Sequence, residues 1–161
     1  MEKAGREIVN QMWAFQDKGG RDVCLIPEVT GLIQELWRDD WSKRAKSRRV
    51  FYVSRCYRYE RPQAGRYREF TQLGVEWLGE GAEKSELTKI LRDCLDITGV
   101  DYTLNDAVKR GLTYYVEDGF EAECAALGAQ KQIAGGGRYA EGIGWAIGID
   151  RLLLAMEKND V

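Results

Sequence analysis

Between residues 51 and 79, hydrophobic and polar positions alternate with a period of two, which predicts two β-strands joined by a polar loop. In the second strand Leu73, Val75 and Trp77 share one face, so that face is expected to pack against a hydrophobic core. The loop contains a proline and a glycine, which are typical of turns. An antiparallel hairpin with this pattern presents the polar side chains of Arg58, Glu60, Arg66, Arg68, Gln72 and Glu76.

The polar residues of this hairpin suit two kinds of ligand. Arginine is always charged and binds oxyanions with two parallel hydrogen bonds, so the arginines suit a polyphosphate. Gln72 and Glu76 share a face of the second strand, and a carboxamide beside a carboxylate suits an ammonium or imidazole group. The first strand places Tyr52, Ser54 and Cys56 on one face. A surface hairpin with solvated ion pairs is the alternative, because antiparallel sheets commonly expose one charged face.

A spacing near 3.6 residues predicts helices elsewhere in the chain. Residues 2–15 carry apolar side chains at helical spacing, and residues 31–38 carry an apolar stripe. Residues 83–98 follow the same rule and are followed by Gly99, a residue that commonly ends helices. Residues 105–109 are expected to add one more helical turn.

Other segments predict short strands and turns. Residues 22–26 read as a short strand that ends at Pro27. Asp118 and Gly119 form a two-residue turn signal between β-type runs, which predicts a second hairpin. The three glycines at 135–137 indicate either a turn or a place where the backbone approaches a ligand closely.

Length and composition indicate one globular domain. The chain has 161 residues, 44% of them hydrophobic, and a net charge of −2, so no strong overall basic field attracts nucleic acid. The charged run at residues 38–49 is either a solvated connection or a contact for an RNA backbone. No apolar run is long enough to span a bilayer and Met1 is not followed by a signal-peptide pattern, so we expect a cytoplasmic protein that does not contact membranes.

Cysteine and histidine usage excludes several chemistries. The 4 cysteines are widely spaced without a CxxC pair, so we expect reduced thiols and neither a zinc site nor a disulfide framework. The chain has 0 histidines, which removes Ser-His and Cys-His nucleophilic catalysis. Any reaction must therefore depend on Arg, Glu, Gln, Tyr and backbone groups.

The run YRYERPQAGRYREF at residues 57–70 resembles motif 2 of class II aminoacyl-tRNA synthetases, in particular that of histidyl-tRNA synthetases. The segments FQDKGGRDVCLIPEVT, RGLTYY, GGGRY and GWAIGIDRL are similar to further elements of this family and occur in the family's order. The resemblance implies an α+β fold, a class II synthetase-like antiparallel β-sheet flanked by helices, which we expect on one face. It also implies that residues 1–161 are a single catalytic core in which motif 1 and the anticodon-binding domain are absent.

The resemblance also implies roles for individual residues. Arg58 and Arg110 match arginines that act catalytically at the α-phosphate of ATP. The residues that match the family's ATP site are Arg58, Glu60, Arg66 and Arg151. The residues that match its amino-acid pocket are Glu28, Thr30, Gln72, Glu76, Tyr114, Tyr115 and Tyr139. The implied cofactors are ATP and Mg²⁺, and no residue is assigned as a metal ligand.

Five positions depart from the family's pattern. Ile26 stands where the family has arginine, and Thr71 stands where it has histidine. Thr113 and Ala140 each replace an aspartate, and Asp150 replaces a glutamate. The polar network of the amino-acid pocket is therefore expected to differ in part from that of the family.

Three interpretations of function stay open. The first is a histidine–tRNA ligase that activates histidine with ATP to histidyl-adenylate, contacts a tRNA acceptor stem, and acts as a homodimer or with a partner subunit. The second is a non-catalytic binding or regulatory subunit. The sequence REFTQ at residues 68–72 is also similar to the corresponding segment of the synthetase paralogue that regulates ATP phosphoribosyltransferase. The third is an inert structural remnant. Retention of Arg58, Arg66, Arg110 and Arg151 together favours the first interpretation.

Overall fold

The computed structural model describes residues 6–109 and 114–158. Its strands are β1 (Ala14–Gln16), β2 (Asp22–Cys24), β3 (Ser47–Tyr57), β4 (Glu69–Gly79), β5 (Thr103–Val108), β6 (Gly119–Glu123), β7 (Gln132–Tyr139) and β8 (Gly142–Gly148). Its helices are α1 (Arg6–Asn10), α2 (Thr30–Asp39), α3 (Lys84–Asp96) and α4 (Ile149–Lys158), with 3-10 segments at Trp41–Lys43 and Ala125–Gln130. Within the described residues, six strands form one antiparallel sheet in the order β3-β4-β8-β7-β6-β5, and β1 pairs with β2. The predicted α+β fold with an antiparallel sheet is confirmed.

The hairpin that the alternation predicted is the pair β3 and β4. The two strands are antiparallel and in continuous register, with Tyr52 opposite Gly74 and Ser54 opposite Gln72. The other side of β4 pairs with β8, where Gln72 lies opposite Gly148. The strand β3 begins at Ser47, four residues before residue 51, where the hydrophobic and polar alternation predicted its start.

One face of the sheet packs against α3 and α4. Val75 and Trp77 contact a core that includes Leu91 of α3 and Leu152 of α4. Trp145 of β8 lies in the same core and is 2% exposed. The apolar face predicted for the second strand is therefore the face that covers the main core.

The opposite face of the sheet packs against α2. Leu78 follows Trp77 in β4 and consequently points the other way, where it packs with Ile33 and Trp37 of α2 and with Tyr139 of β7. The expectation that the helices lie on one face is wrong, because the apolar stripe of α2 covers this smaller second core. The polar residues of the hairpin lie on the same face as α2.

Two of the predicted helices are confirmed. The segment predicted at 31–38 is α2, and the segment predicted at 83–98 is α3. Leu87, Leu91 and Leu95 on α3 are each at most 1% exposed, as the helical spacing requires. Gly99 follows with a φ of 70°, a conformation that favours glycine and ends the helix.

The helix predicted over residues 2–15 is wrong in its second half. The described helix α1 ends at Asn10, and Ala14–Gln16 forms a strand that pairs with Asp22–Cys24. Just before that strand, the ring of Trp13 meets the ring of Tyr59 edge-on, with centroids 4.9 Å apart. These pairings and ring contacts outweigh a helical propensity that is only a weak preference.

Two further predictions in the second half of the chain are wrong. Residues 105–108 of the segment expected to be a helical turn belong to β5, which pairs with β6. The expected hairpin at Asp118 and Gly119 does not form, because β6 has β5 on one side and β7 on the other. The segment before that turn instead bridges to β7, where Tyr115 pairs with Tyr139.

The structure also bears on the expectations from composition. Cys24, Cys56, Cys94 and Cys124 are free thiols, as predicted. No helix within the described ranges is long and apolar enough to cross a bilayer.

Candidate functional site

Small residues form an open floor on the α2 face of the sheet, where β4, β8 and β7 run side by side. Gly74, Ala146 and Gly135 lie opposite one another on the three strands, and Gly144 lies opposite Glu76. Residues directly opposite in a sheet point to the same face, so these small residues leave room on this face for other groups. The Tyr52 ring lies over Gly74 and the Glu76 carboxylate lies over Gly144, so a ligand can approach the backbone closely at Gly135 and Ala146.

A cavity of about 130 Å³ lies at one end of this floor and carries three guanidinium groups. They belong to Arg58, Arg66 and Arg151, which come from the end of β3, the β3–β4 loop and α4. The cavity is also lined by Glu60, Gly65, Phe70, Gly135, Ala146, Gly148 and Asp150. Three of the four arginines expected at the ATP site are thus brought together, and Arg110 lies outside the described residues.

Arg151 is held by the backbone around the cavity. Its Nε donates to the carbonyl oxygen of Gly65, and its other nitrogens donate to the carbonyl of Gln132 at 2.9 Å and to Gln130 Oε1 at 3.2 Å. Burial lowers the pKa of Arg151, Glu60 opposes that change, and the positive charges of Arg58 and Arg66 add to it. A bound polyanion would relieve this mutual repulsion.

Arg58 and Arg66 are oriented by neighbouring groups in the same way. Arg58 Nε donates to the carbonyl of Pro27 at 2.9 Å, and its guanidinium lies 5.0 Å from the ring centroid of Phe70. Arg66 Nε donates to Glu60 Oε2 in an ion pair. Glu60 therefore positions an arginine of the cavity. Preorganised donors of this kind suit the binding of phosphate oxygens.

The other end of the floor is a buried acidic pocket centred on Glu76. Its side chain is 0% exposed and accepts hydrogen bonds from Thr30 Oγ1 at 2.6 Å and from the Tyr139 hydroxyl at 2.7 Å. Burial raises the pKa of Glu76 to about 7, partly offset by these two hydrogen bonds and reinforced by the charge of Glu28. A backbone without a side chain is required at Gly144, where a Cβ would overlap the carboxylate of Glu76.

Glu28 is a second buried carboxylate beside Glu76, with 4% of its surface exposed. It accepts hydrogen bonds from the backbone N–H of Gly31 at 3.0 and 3.2 Å and from the Tyr114 hydroxyl at 3.4 Å. Burial raises its pKa, while these bonds and the charge of Arg58 act against that change. Two buried carboxylates with few positive charges nearby suit a cationic ligand group.

Thr30 stands at the start of α2 but does not cap the helix with its side chain. Thr30 is the first residue of α2, and Val29, at the N-cap position, makes no side-chain capping hydrogen bond. The Thr30 hydroxyl instead donates across the pocket to Glu76, and the Glu28 carboxylate accepts the N–H of Gly31 in the first turn. Both residues that the resemblance assigned to the amino-acid pocket therefore face it.

Gln72 completes the polar wall between the two ends of the floor. Its Oε1 accepts a hydrogen bond from Cys56 Sγ at 3.3 Å, and burial raises the pKa of Cys56 to about 11. The thiol therefore stays protonated and acts as the donor, which leaves the Nε2 hydrogens of Gln72 for other partners. Gln72 lies opposite Gly148, a cavity residue, so the pocket and the cavity adjoin along β4 and β8.

Three tyrosines close the acidic pocket. The rings of Tyr114 and Tyr115 lie 4.7 Å apart, and Tyr114 meets Tyr139 edge-on at 6.2 Å. A Cβ at Gly137 would lie 2.7 and 2.9 Å from the Tyr115 ring, so that ring packs directly on the backbone of β7. The tyrosines named from the resemblance are thus grouped with Glu28 and Glu76.

Of the positions that depart from the family, Asp150 lines the cavity, and Ile26, Thr71 and Ala140 are not among the residues that line it. The carbonyl of Ile26 accepts the N–H of Tyr57 at 2.8 Å and its side chain is 39% exposed. The Thr71 N–H donates to Asp150 Oδ2 at 2.7 Å, and Ala140 is exposed between β7 and β8. Thr113 lies outside the described residues.

Sequence reasoning did not assign a role to two residues on the inner face of β3, Tyr52 and Cys56. Both point to the side of the sheet that carries Gln72 and Glu76. The alternation places them there, so the signal was present. The alternation pattern cannot give the distance from a side chain to its partner, such as the distance from Cys56 to Gln72.

A family model described as histidyl-tRNA synthetase matches residues 1–105. The histidine–tRNA ligase of Methanosphaerula palustris is 28% identical over 258 aligned positions, which take in 96% of this chain and 63% of the relative. The histidine–tRNA ligase of Methanocorpusculum labreanum is 40% identical over 104 residues, 63% of this chain and 25% of the relative. The aligned region of 258 positions exceeds the 161 residues of the chain, so the first relative carries inner segments that have no counterpart here.

Solved structures show the same fold. The apo histidyl-tRNA synthetase of Staphylococcus aureus matches 93% of this chain and 56% of its own length, with a TM-score of 0.75 and 24% identity. A Bacillus halodurans protein described as an ATP phosphoribosyltransferase regulatory subunit/histidyl-tRNA synthetase matches 91% of this chain and 68% of its own, with a TM-score of 0.76 and 17% identity.

The chain spans less than two thirds of the length of the curated relatives that it matches over most of its own length. The match to the family model nevertheless covers more than half of the chain, and it includes β3, β4 and α2, which carry most of the site. The chain belongs to the histidyl-tRNA synthetase family.

Proposed function

We propose that this chain activates histidine with ATP to form histidyl-adenylate, the first half of a histidine–tRNA ligase reaction. One observation carries the proposal: a cavity lined by three guanidinium groups adjoins a buried acidic pocket on one sheet face. The contact runs through Gln72, which lies opposite Gly148. A triphosphate in the cavity and an amino acid in the pocket would therefore meet over the floor of small residues.

In this proposal the reaction needs no protein nucleophile. A carboxylate oxygen of histidine attacks the α-phosphorus of ATP, a new O–P bond forms, and the bond to the bridging oxygen breaks as pyrophosphate leaves. Arg58 donates to the α-phosphoryl oxygens, where negative charge develops. Arg110 shares this role by resemblance to the family, and Arg66 and Arg151 hold the β- and γ-phosphates.

The donor set near the cavity is compatible with Mg²⁺. This ion takes most of its ligands from phosphates and water and needs only one or two carboxylates, and when bound it neutralises charge on the departing pyrophosphate. Glu121 of β6 lies opposite Gly135, a cavity residue, on the same sheet face. In the proposal Glu121 would supply the one carboxylate that such an ion needs, and phosphate and water oxygens would supply its other ligands.

The acidic pocket would hold the amino acid in two places. Glu28 and Thr30 take the α-ammonium group, because a carboxylate and a hydroxyl oxygen both accept N–H donors. Gln72, Glu76, Tyr114, Tyr115 and Tyr139 surround the imidazole ring. Ionised Glu76 favours a protonated or N–H-donating ring.

Histidine-dependent exchange of labelled pyrophosphate into ATP tests the activation step. We expect exchange by the wild-type chain and a loss of at least about 100-fold in Arg58→Ala, the typical effect of removing one donor to a developing charge. Arg55→Ala is the matched control, because Arg55 lies in β3, three residues before Arg58, its side chain is 71% exposed and it pairs with Glu69. Pyrophosphate exchange at the wild-type rate in Arg58→Ala would contradict the proposed role of Arg58. The same assay on Arg110→Ala tests the role proposed for Arg110.

Transfer of the activated histidine to tRNA is the second part of the proposal. Beside the cavity, Tyr59 is 55% exposed, and the guanidinium of Arg68 lies 4.5 Å from its ring centroid. An exposed aromatic ring with an arginine suits stacking on unpaired bases, such as those at a tRNA acceptor end. Tyr59→Ala is expected to lower tRNA charging while pyrophosphate exchange is retained, and equal losses in both assays would contradict this role.

A non-catalytic binding or regulatory subunit is the second candidate. The fold likeness to the Bacillus halodurans regulatory subunit/histidyl-tRNA synthetase favours it. Saturable histidine binding without pyrophosphate exchange is the result that this candidate predicts. Exchange that depends on Arg58 excludes it.

A further inference from the structure

Tyr52 projects from the inner face of β3 over the middle of the site. It lies opposite Gly74, and a Cβ at Gly74 would overlap the Cζ atom and the hydroxyl oxygen of Tyr52. The hydroxyl end of the phenol ring therefore covers a strand position that has no side chain. This packing brings the hydroxyl from β3 to the floor on β4, between the levels of Gln72 and Glu76.

The Tyr52 hydroxyl is buried and has no partner at hydrogen-bond distance and angle, although the Thr30 hydroxyl lies close enough to act against the rise in its pKa. The groups around it are acidic or already engaged: Glu76 and Glu28 are ionisable neighbours, and the nearby Thr30 hydroxyl donates to Glu76. Burial raises the pKa of Tyr52 well above its ordinary value, and the charge of Glu76 adds to this effect. The phenol therefore stays neutral and keeps both its hydrogen and its lone pairs.

We propose that the Tyr52 hydroxyl binds the amino-acid substrate by accepting an N–H of its α-ammonium group. The inference rests on the proposed function, because it names a further contact within the same pocket. A primary ammonium has three N–H donors, and Glu28, Thr30 and Tyr52 are neighbouring groups that each offer an oxygen acceptor. The hydrogen of the Tyr52 hydroxyl would then turn to a carboxylate, which becomes ionised beside the ammonium.

The proposed role of the Tyr52 hydroxyl predicts how its removal affects the unfolding temperature of the free protein. In the free protein the hydroxyl has no partner of good geometry, and the neighbouring Thr30 hydroxyl already donates to Glu76, so removal of the Tyr52 hydroxyl leaves no donor unsatisfied. Tyr52→Phe should therefore leave the unfolding temperature of the free protein unchanged or slightly higher. A hydroxyl with a structural role would show the opposite result.

The experiment measures thermal unfolding and histidine affinity for three phenylalanine variants. For Tyr52→Phe we expect an unchanged unfolding temperature without ligand and histidine binding weakened about tenfold, the size expected for a lost hydrogen bond to a charged group. Tyr139→Phe removes a hydroxyl that donates to Glu76, so it should lower the unfolding temperature of the free protein. Tyr102→Phe is the control for affinity, because the Tyr102 hydroxyl donates to Asp96 on α3, away from the pocket.

A histidine analogue with a hydroxyl in place of the ammonium identifies the ligand group. If Tyr52 contacts the ammonium, Tyr52→Phe and wild type should bind this analogue with equal, weak affinity. A tenfold difference that persists with the analogue would overturn the ammonium contact. Equal histidine binding by wild type and Tyr52→Phe would overturn the whole inference, whereas a wild-type chain that binds no histidine would contradict the proposed function itself.

Discussion

The hydroxyl of Tyr139 donates a 2.7 Å hydrogen bond to Glu76 Oε2 across 63 positions of the chain. Thr30 donates to the other oxygen of the same carboxylate, which is 0% exposed. Despite these two bonds, burial raises the pKa of Glu76 to about 7. The pocket is therefore built around a carboxylate whose ionisation opposes folding until a cation is bound.

The stability of the free protein should consequently fall as the pH rises from about 4.5 to about 7. Glu76 has a raised pKa in the folded state, so between these pH values the folded chain binds more protons than the unfolded chain. The loss attributable to Glu76 is about 3 kcal/mol from end to end. Urea unfolding at pH 5 and pH 8 measures it, and Glu76→Gln should remove most of the difference.

The matched control for this prediction is Glu35→Gln, because Glu35 is an exposed carboxylate on α2. This variant should retain the pH dependence of the wild type. Glu28 also has a pKa raised by burial, so some dependence should persist in Glu76→Gln. An identical pH dependence in wild type and Glu76→Gln would contradict the raised pKa of Glu76.

Two glycines of β8 should respond very differently to alanine. A Cβ at Gly144 would overlap the carboxylate of Glu76, which has no room to move because it is fully buried. We expect Gly144→Ala to reduce the free energy of unfolding by about 2 kcal/mol or more, through overpacking. At Gly148 the nearest atoms to a Cβ are 3.9 and 4.0 Å away, so Gly148→Ala should change it by less than about 1 kcal/mol.

Urea unfolding of the two variants side by side measures this contrast. Both glycines lie on the same strand and face the same side of the sheet, so differences in strand propensity cancel. Equal stabilities would show that the Glu76 side chain moves aside without cost. That result would also weaken the view of a rigid acidic pocket.

Much of the site could be predicted from the alternation of hydrophobic and polar residues along the strands. Pairing within a sheet keeps alternate side chains on opposite faces, so the alternation tells which residues face the site. Leu73 and Val75 pack on the main core, while Gln72 and Glu76 face the pocket, as the period of two requires. The resemblance to histidyl-tRNA synthetases predicted the roles of site residues that lie far apart in the chain. The hydrogen bond from Thr30 to Glu76 shows why pattern alone was insufficient, since the two residues are 46 positions apart.

The failed predictions fall where the local pattern is weak and a distant strand decides the outcome. The segment after Trp13 and the segment from Asn105 to Val108 are short, and each becomes a strand because a partner is available. The turn signal at Asp118 and Gly119 is overridden because both edges of the following strand are already paired. Pairing partners of this kind are a property of the whole sheet and are not encoded in a six-residue window.

Arg151 should be more important for nucleotide binding than its charge alone implies. Its three donors hold Gly65 in the β3–β4 loop, Gln132 at the start of β7 and Gln130 just before it. Arg151→Lys keeps the charge but cannot make this set of bonds, because lysine lacks the planar fork. We expect ATP binding, measured by calorimetry, to weaken about tenfold or more in Arg151→Lys and further in Arg151→Ala.

Arg92→Ala is the control for this prediction, since Arg92 is exposed on α3, on the other side of the sheet. Its ATP affinity should equal that of the wild type. Wild-type affinity in Arg151→Lys would show that charge suffices. In that case the bonds to the loop and to β7 would have no role in nucleotide binding.

The end of β8 leaves the backbone of β4 without a strand partner, and Asp150 replaces that partner. The last residue of β8, Gly148, lies opposite Gln72, and the N–H of the preceding Thr71 donates to Asp150 Oδ2 at 2.7 Å. Asp150→Ala should cost about 1–3 kcal/mol, because it leaves that N–H unsatisfied and removes a negative charge from the first turn of α4. Asp150→Asn keeps an acceptor and should cost less than about 1 kcal/mol.

Amide hydrogen exchange at Thr71 separates this explanation from a general loss of stability. In Asp150→Ala the Thr71 amide should exchange much faster than its neighbours in β4, whereas in Asp150→Asn its protection should be mostly retained. Glu157→Ala, an exposed carboxylate in the last turn of α4, should change neither the exchange nor the stability. Uniformly faster exchange along β4 in Asp150→Ala would indicate global destabilisation, and the local role of Asp150 as the partner of Thr71 would then be wrong.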